Sequence, residues 1–131
     1  MIGLDTNVLV RLIAQDDPDQ NNKTDALMSS LSAQDPGWIA TASILELVWA
    51  MTSRFGMRRQ DIFRMLDGLL SRDNLIVENA ERLRKTIDMY RVGRADFADC
   101  LISVSCREAG CAKTLTFDQD AAKTTEMTLI A

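Results

Sequence analysis

The chain has 131 residues, 47% of them apolar and 26% charged, which is the size of one domain with material for one core and excludes a disordered segment. Nineteen acids against fifteen basic residues give a formal charge of −4, which argues against passive binding of nucleic acid through a basic surface. There is no histidine, so the commonest general base is missing and any catalysis must run on carboxylates, serines, cysteines or a metal.

Met1 to Leu4 is a short apolar run that stops at Asp5 and reads as a strand. The stretch from Asn7 to Ile13 suits strand or helix by composition and is read as the helix that follows. Asp17-Pro18 is a helix opening, with the acid at the cap and proline at the first helical position, and that helix is expected to run to about Asp35-Pro36-Gly37. Trp38 to Ala40 is a strand candidate. Ala42 to Arg54 then carries Ile44, Leu45, Val48, Trp49 and Thr52 at helical spacing, and Gly56 ends it.

The same period returns from Arg59 to Ser71, through Ile62, Phe63, Leu66, Leu69 and Leu70. Leu75-Ile76-Val77 reads as a buried strand. Two amphipathic helices follow, Ala80 to Arg91 and Phe97 to Ala109, separated by a break at Gly93. Thr114 to Phe117 is a strand, and Leu129-Ile130 is a candidate for a last one. Strands separated by helices or helix pairs imply a parallel sheet covered on both faces, because parallel neighbours need crossover connections. The expected fold class is therefore α/β: a three-layer sandwich with a small, mostly parallel central sheet flanked by helices, over residues 1–131 as a single domain.

The N-terminus reaches Asp5 before any apolar run of signal-peptide length, and no stretch approaches the roughly 18 apolar residues that span a bilayer. The expectation is a cytoplasmic protein without a membrane partner. Cys100, Cys106 and Cys111 are odd in number and clustered late in the chain, which suits reduced thiols on a helix better than a disulfide framework. A zinc site there would lack its fourth ligand.

Four segments place an acid at a strand end or in an early turn of a helix: Leu4-Asp5-Thr6-Asn7, Ser43-Ile44-Leu45-Glu46, Asp96-Phe97-Ala98-Asp99 and Thr116-Phe117-Asp118-Gln119-Asp120. Each has a local explanation. Asp5, Asp96 and Asp118 suit helix caps, and Ser43-x-x-Glu46 has the form of a capping box. Asp120 is weighed between support for a site and the solvated face of a short helix. Taken together, Asp5 and Asp118 each follow a candidate parallel strand, so both are expected at one edge of one sheet. Carboxylates gathered in a cleft repel one another and must either bind protons or hold a hard cation, and an all-oxygen set without histidine suits Mg2+ or Mn2+. Such a site supports phosphodiester hydrolysis, with its cations offsetting the acidic field toward a polyanion. Arg11, Arg54, Arg58, Arg59, Arg91 and Arg94 are candidates to guide a phosphate backbone, weighed against plain solvated arginines.

In their order along the chain these four motifs resemble those of PIN-domain nucleases, especially VapC-type toxins, over essentially the whole sequence. The resemblance implies a magnesium- or manganese-dependent ribonuclease acting on RNA, the toxin of a bacterial toxin–antitoxin pair, with a cognate antitoxin protein as partner and a homodimer as its assembly. Carried over by position, it implies Asp5, Glu46, Asp99 and Asp118 as the acidic quartet. Asp5, Asp99 and Asp118 then hold metal, and Glu46 acts through a bound water. Thr6, Asp96 and Thr116 are implied in support. Cys100 stands where a small apolar residue is common. Two competitors remain: an aspartate-nucleophile phosphatase using Asp5, which would want an acid where Asn7 stands, and a non-catalytic PIN-like interaction domain. Trp49, Phe55, Met57 and Phe63, between residues 42 and 71, mark a candidate docking or dimer surface, although helical spacing favours a core place for Trp49 and Phe63 individually.

Overall fold

The computed structural model describes residues 1–130; Ala131, the last position of the expected domain, lies outside the described residues. The chain divides into two compact units, Met1–Glu78 and Asn79–Ala131.

The first unit runs β1 (Ile2–Gly3), α1 (Thr6–Ala14), α2 (Pro18–Ser30), β2 (Gly37–Ile39), α3 (Thr41–Ser53), α4 (Arg59–Leu70) and β3 (Leu75–Val77). Its sheet has the order β1-β2-β3 with both pairings parallel, Gly37 of β2 standing opposite Ile2 on one side and Leu75 on the other. Each strand-to-strand step is made by a helix pair, as parallel pairing requires. Backbone bonds carry the ladder past the strand ends: the Leu4 amide donates to the Trp38 carbonyl at 2.9 Å, and the Glu78 amide to the Ile39 carbonyl at 2.8 Å. Leu9, Ile39, Ile44, Leu47, Met51, Ile62 and Leu66 are fully buried; Ile62 and Leu66 of α4 are at the predicted spacing, whereas on α3 the buried face runs through Leu47 and Met51 and leaves Trp49 and Thr52 exposed.

The second unit runs α5 (Ala80–Val92), α6 (Phe97–Glu108), β4 (Thr114–Thr116), α7 (Gln119–Thr124) and β5 (Met127–Leu129). β4 and β5 pair in parallel across α7. Leu83, Ile87 and Tyr90 of α5 are buried, as are Phe97, Cys100, Leu101 and Val104 of α6. Tyr90 and Phe97 meet edge to face, with ring centroids 5.7 Å apart, the geometry that aromatic quadrupoles prefer. On the outside of this helix pair the Glu108 carboxylate accepts from Arg82 at 2.6 Å and from Lys85 at 3.2 Å. Those hydrogen bonds, to Arg82 first and Lys85 second, hold its pKa below the ordinary glutamate value.

The α/β class with a small parallel sheet flanked by helices is as expected, and every predicted strand and helix is present to within a few residues. Four local expectations need correction. First, α2 ends at Ser30, not near Asp35, because Leu31 turns to extended backbone (φ −85°, ψ 153°). Second, Ser43-x-x-Glu46 is not a capping box. Helix α3 begins at Thr41 with Ala40 as its cap, so Ser43 lies inside the first turn and Glu46 a turn further on. Third, β1 and β4 belong to different sheets, so one shared sheet edge does not join Asp5 to Asp118. Fourth, Trp49 is 65% exposed and takes no part in the core.

Candidate nuclease site

In the first unit Asp5 and Thr6 stand just past the carboxyl end of β1, and Glu46 lies in the second turn of α3. Asp5 follows β1 with Leu4 between, in extended backbone, and caps α1: its Oδ1 accepts the Thr6 amide at 2.7 Å. An acid at this point satisfies one of the free amides of the helix start and meets the positive end of the helix dipole. Next to it the Thr6 hydroxyl is buried without a hydrogen-bond partner. A buried hydroxyl normally finds one, so Thr6 leaves an unspent oxygen beside the Asp5 carboxylate. Glu46 lies on the exposed side of α3.

The first unit also contains an acid that sequence reasoning passed over. Glu78 follows β3, is half-buried, and its Oε1 accepts the Thr41 amide at 2.8 Å. It does for α3 what a local cap does elsewhere, which explains how Ala40 serves as a cap residue without a side-chain acceptor. The signal was available, since Glu78 directly follows Leu75-Ile76-Val77 much as Asp5 follows the first strand.

In the second unit two helix starts and one loop bring three acids together. Asp96 caps α6, its Oδ1 accepting the Asp99 amide at 2.8 Å. Asp118 caps α7, its Oδ1 accepting the amides of Asp120 at 2.8 Å and Ala121 at 3.0 Å. Asp99 lies half-buried in the first turn of α6. Its pKa is raised above the ordinary value of 3.8, first by burial, then by the negative charges of Asp96 and Asp118, and last by a hydrogen bond with Asp96. Both carboxylates therefore act on Asp99 electrostatically, and each disfavours its ionised form.

Thr124 links the two helix starts. Its hydroxyl accepts the Ala95 amide at 2.9 Å and donates to the Asp120 carbonyl at 2.8 Å, tying the residue before Asp96 to the residue two after Asp118. Gly93 permits that approach, because a Cβ there would stand 2.6 Å from the Thr124 Cβ.

The supporting residues divide. Thr116 accepts the backbone amide of Asp118 at 3.0 Å, a local turn bond that fixes the chain at Asp118. Asp120 is exposed in the first turn of α7, the solvated position weighed for it above. Of the arginines, Arg11 is paired with Asp16 and Arg54 lies over the Phe55 ring at 6.0 Å. Among the described residues, no three acids or cysteines are gathered closely enough to cage a metal ion as they stand, and no helix is long and apolar enough to cross a membrane.

The order of elements, the parallel strands flanked by helices and the acids after strands and at helix starts define an α/β architecture with candidate acids in both units. The PIN domain family model matches residues 2–127, so the chain belongs to the PIN domain family. It is also similar to the VapC ribonuclease of Aquifex aeolicus (strain VF5), with 24% identity over 115 residues that cover 87% of this chain and 84% of that protein.

Proposed function

We propose that this chain is a metal-dependent endoribonuclease, the toxin of a bacterial toxin–antitoxin pair, and that both of its units serve one nuclease domain over residues 1–131. The observation that carries the reading is Asp99, a half-buried acid whose pKa is raised first by burial and then by the charges of Asp96 and Asp118, in a chain of the PIN family. Carboxylates perturbed by burial and by neighbouring charges cluster at functional sites. The similarity to a VapC ribonuclease supplies the substrate class, RNA, and implies an antitoxin as partner.

Asp5, Asp99 and Asp118 are the proposed ligands for Mg2+ or Mn2+, grouped by the order and spacing of their motifs along the chain. The donor chemistry suits such a cation, being all oxygen, which hard cations prefer, and the Thr6 hydroxyl next to Asp5 is buried without a hydrogen-bond partner. A divalent cation bound there supplies polarisation of the phosphoryl oxygen and lowers the pKa of an attacking water. Glu46, exposed on α3, would bind through a bound water or help to take its proton. Asp96 orients the first turn of α6 through its cap bond to the Asp99 amide. Thr116 holds the backbone that presents Asp118.

A non-catalytic reading has one observation in its favour: Asp5, Asp96 and Asp118 each already cap a helix. Capping leaves Asp99 unexplained, since its own carboxylate caps nothing and is disfavoured where it stands. The aspartate-nucleophile phosphatase gains no such support, because position 7 is Asn7.

Cleavage of a panel of labelled structured RNAs by wild type and Asp99→Asn, with magnesium, manganese or excess chelator, tests the proposal. Metal-dependent cutting by wild type and none by the variant is the expected result. Chelator-resistant cutting, or an Asp99→Asn protein that cuts as well as wild type, would overturn the role given to the acids. Calorimetric titration of the same samples with Mn2+ separates an inert protein from one whose RNA target is absent from the panel.

A further inference from the structure

We propose that Cys106 and Cys111 form a redox-active dithiol that closes to a disulfide across the C-terminal end of α6. Three observations carry the pairing. The Cys111 amide donates to the Cys106 carbonyl at 3.0 Å, and the Gly110 amide to the Arg107 carbonyl at 3.0 Å. Ala109 is the last residue in right-handed backbone, and Gly110 follows in the left-handed region at φ 91°. These nested bonds around a left-handed glycine fold the chain back over its last helical turn.

In that arrangement the side chains at the two positions joined by the outer bond commonly touch, usually as an apolar pair. Here both are thiols. With ordinary bond lengths, a 3.0 Å bond from the Cys111 amide to the Cys106 carbonyl keeps the two Cα atoms within ~7 Å, less once bond angles are counted. That is the separation a disulfide bridges.

The third thiol is excluded from this pair. Cys100 is buried at 1% exposure and lies earlier on the same helix, about 9 Å along the axis from Cys106. Access also orders the chemistry, since Cys111 is exposed and Cys106 half-buried.

The oxidant is a low-molecular-weight disulfide. The Cys111 thiolate attacks one of its sulfurs, forming a mixed disulfide and releasing one small thiolate. The Cys106 thiolate then attacks the Cys111 Sγ and expels the second small thiolate. Overall, two protein thiols lose two electrons and two protons, and one small disulfide becomes two small thiols.

The bridge would fasten α6, which carries Asp99 in its first turn, to the chain three residues before β4. By restricting the unfolded chain it stabilises the oxidised form.

The test is incubation of the full chain with oxidised glutathione, followed by intact-mass measurement, peptide mapping and thiol counting after unfolding. The expected product has lost two hydrogens, links Cys106 to Cys111, retains one reactive thiol, has a higher Tm and reverts with dithiothreitol. Cys106→Ser should instead hold glutathione on Cys111, because the resolving thiol is gone. Wild type that stays unmodified, that accumulates glutathione on Cys111, or that bridges through Cys100 would overturn the proposal. The wild-type arm decides even where a serine variant folds poorly.

Discussion

At the scale of the residue, the acids of this protein serve two demands that can be separated by substitution. Asp118 accepts two amides at the start of α7, and asparagine caps a helix about as well as aspartate while carrying no charge. Asp118→Asn should therefore keep the stability of wild type and lose metal-dependent cleavage, whereas Asp118→Ala should lose cleavage and also about 1 kcal/mol of stability. Urea denaturation of the two variants beside wild type checks the difference. Asp99 offers the opposite case. Its folded pKa is raised, so the native state binds the proton more tightly than the unfolded chain, and stability falls as pH rises from about 3.8, the ordinary aspartate value, through the folded one. Asp99→Asn removes that penalty. In chelator its Tm should exceed that of wild type at neutral pH, with the gap closing as the pH drops below the ordinary aspartate range. A wild type more stable than Asp99→Asn at pH 7 would show that the carboxylate makes a favourable contact in the metal-free fold.

The identities of Asp5, Asp96, Asp99 and Asp118 as notable acids were legible because each follows a strand or opens a helix, and those are local patterns. What Asp99 experiences was not legible. Its neighbour Asp96 is three residues away, but Asp118 is separated from it by the rest of α6 and β4.

At the scale of the element, helices and strands were read from their periods with errors at the ends and in the buried face, since Trp49 of α3 and Ile76 of β3 are exposed. The failed capping box is the instructive case. Ser43 and Glu46 have the right types and spacing, yet the helix is capped at Ala40, three residues before Ser43. Its first amide is taken by Glu78, 37 residues away, so the stronger acceptor came from another strand. A second element-scale feature is the contact of Gly93 with Thr124, which joins the loop before α6 to α7. Because a Cβ at position 93 would stand 2.6 Å from the Thr124 Cβ, Gly93→Ala should cost about 1–3 kcal/mol by overpacking. Chemical denaturation measures it, and an unchanged midpoint would mean that the loop yields without loss. Gly93 was read from the sequence only as a helix break. Its packing role depends on a partner 31 positions on.

At the scale of the whole molecule, the balance of charge and of cation binding should be visible without RNA. A ligand that binds only the folded state stabilises it by mass action, by about 2.7 kcal/mol at a hundredfold excess over Kd. Mn2+ or Mg2+ should raise the Tm of wild type by more than that of Asp99→Asn, and calcium-free chelator should restore the baseline. Equal shifts in both proteins would place the cations elsewhere. Trp49 and Phe55 are exposed at 65% and 37%, Trp49 in a place that helical spacing alone did not assign.

By itself, the sequence determined the α/β class, the order of strands and helices, the acids that open helices and the family resemblance, because hydrophobic period, turn chemistry and motif order are properties of neighbouring residues. The tertiary structure alone decided which acceptor caps α3, which sheet each strand joins and which charges raise the pKa of Asp99. Those outcomes depend on distances between residues far apart in the chain. Hydrogen bonds and Coulomb forces respond to such distances, and no local pattern encodes them.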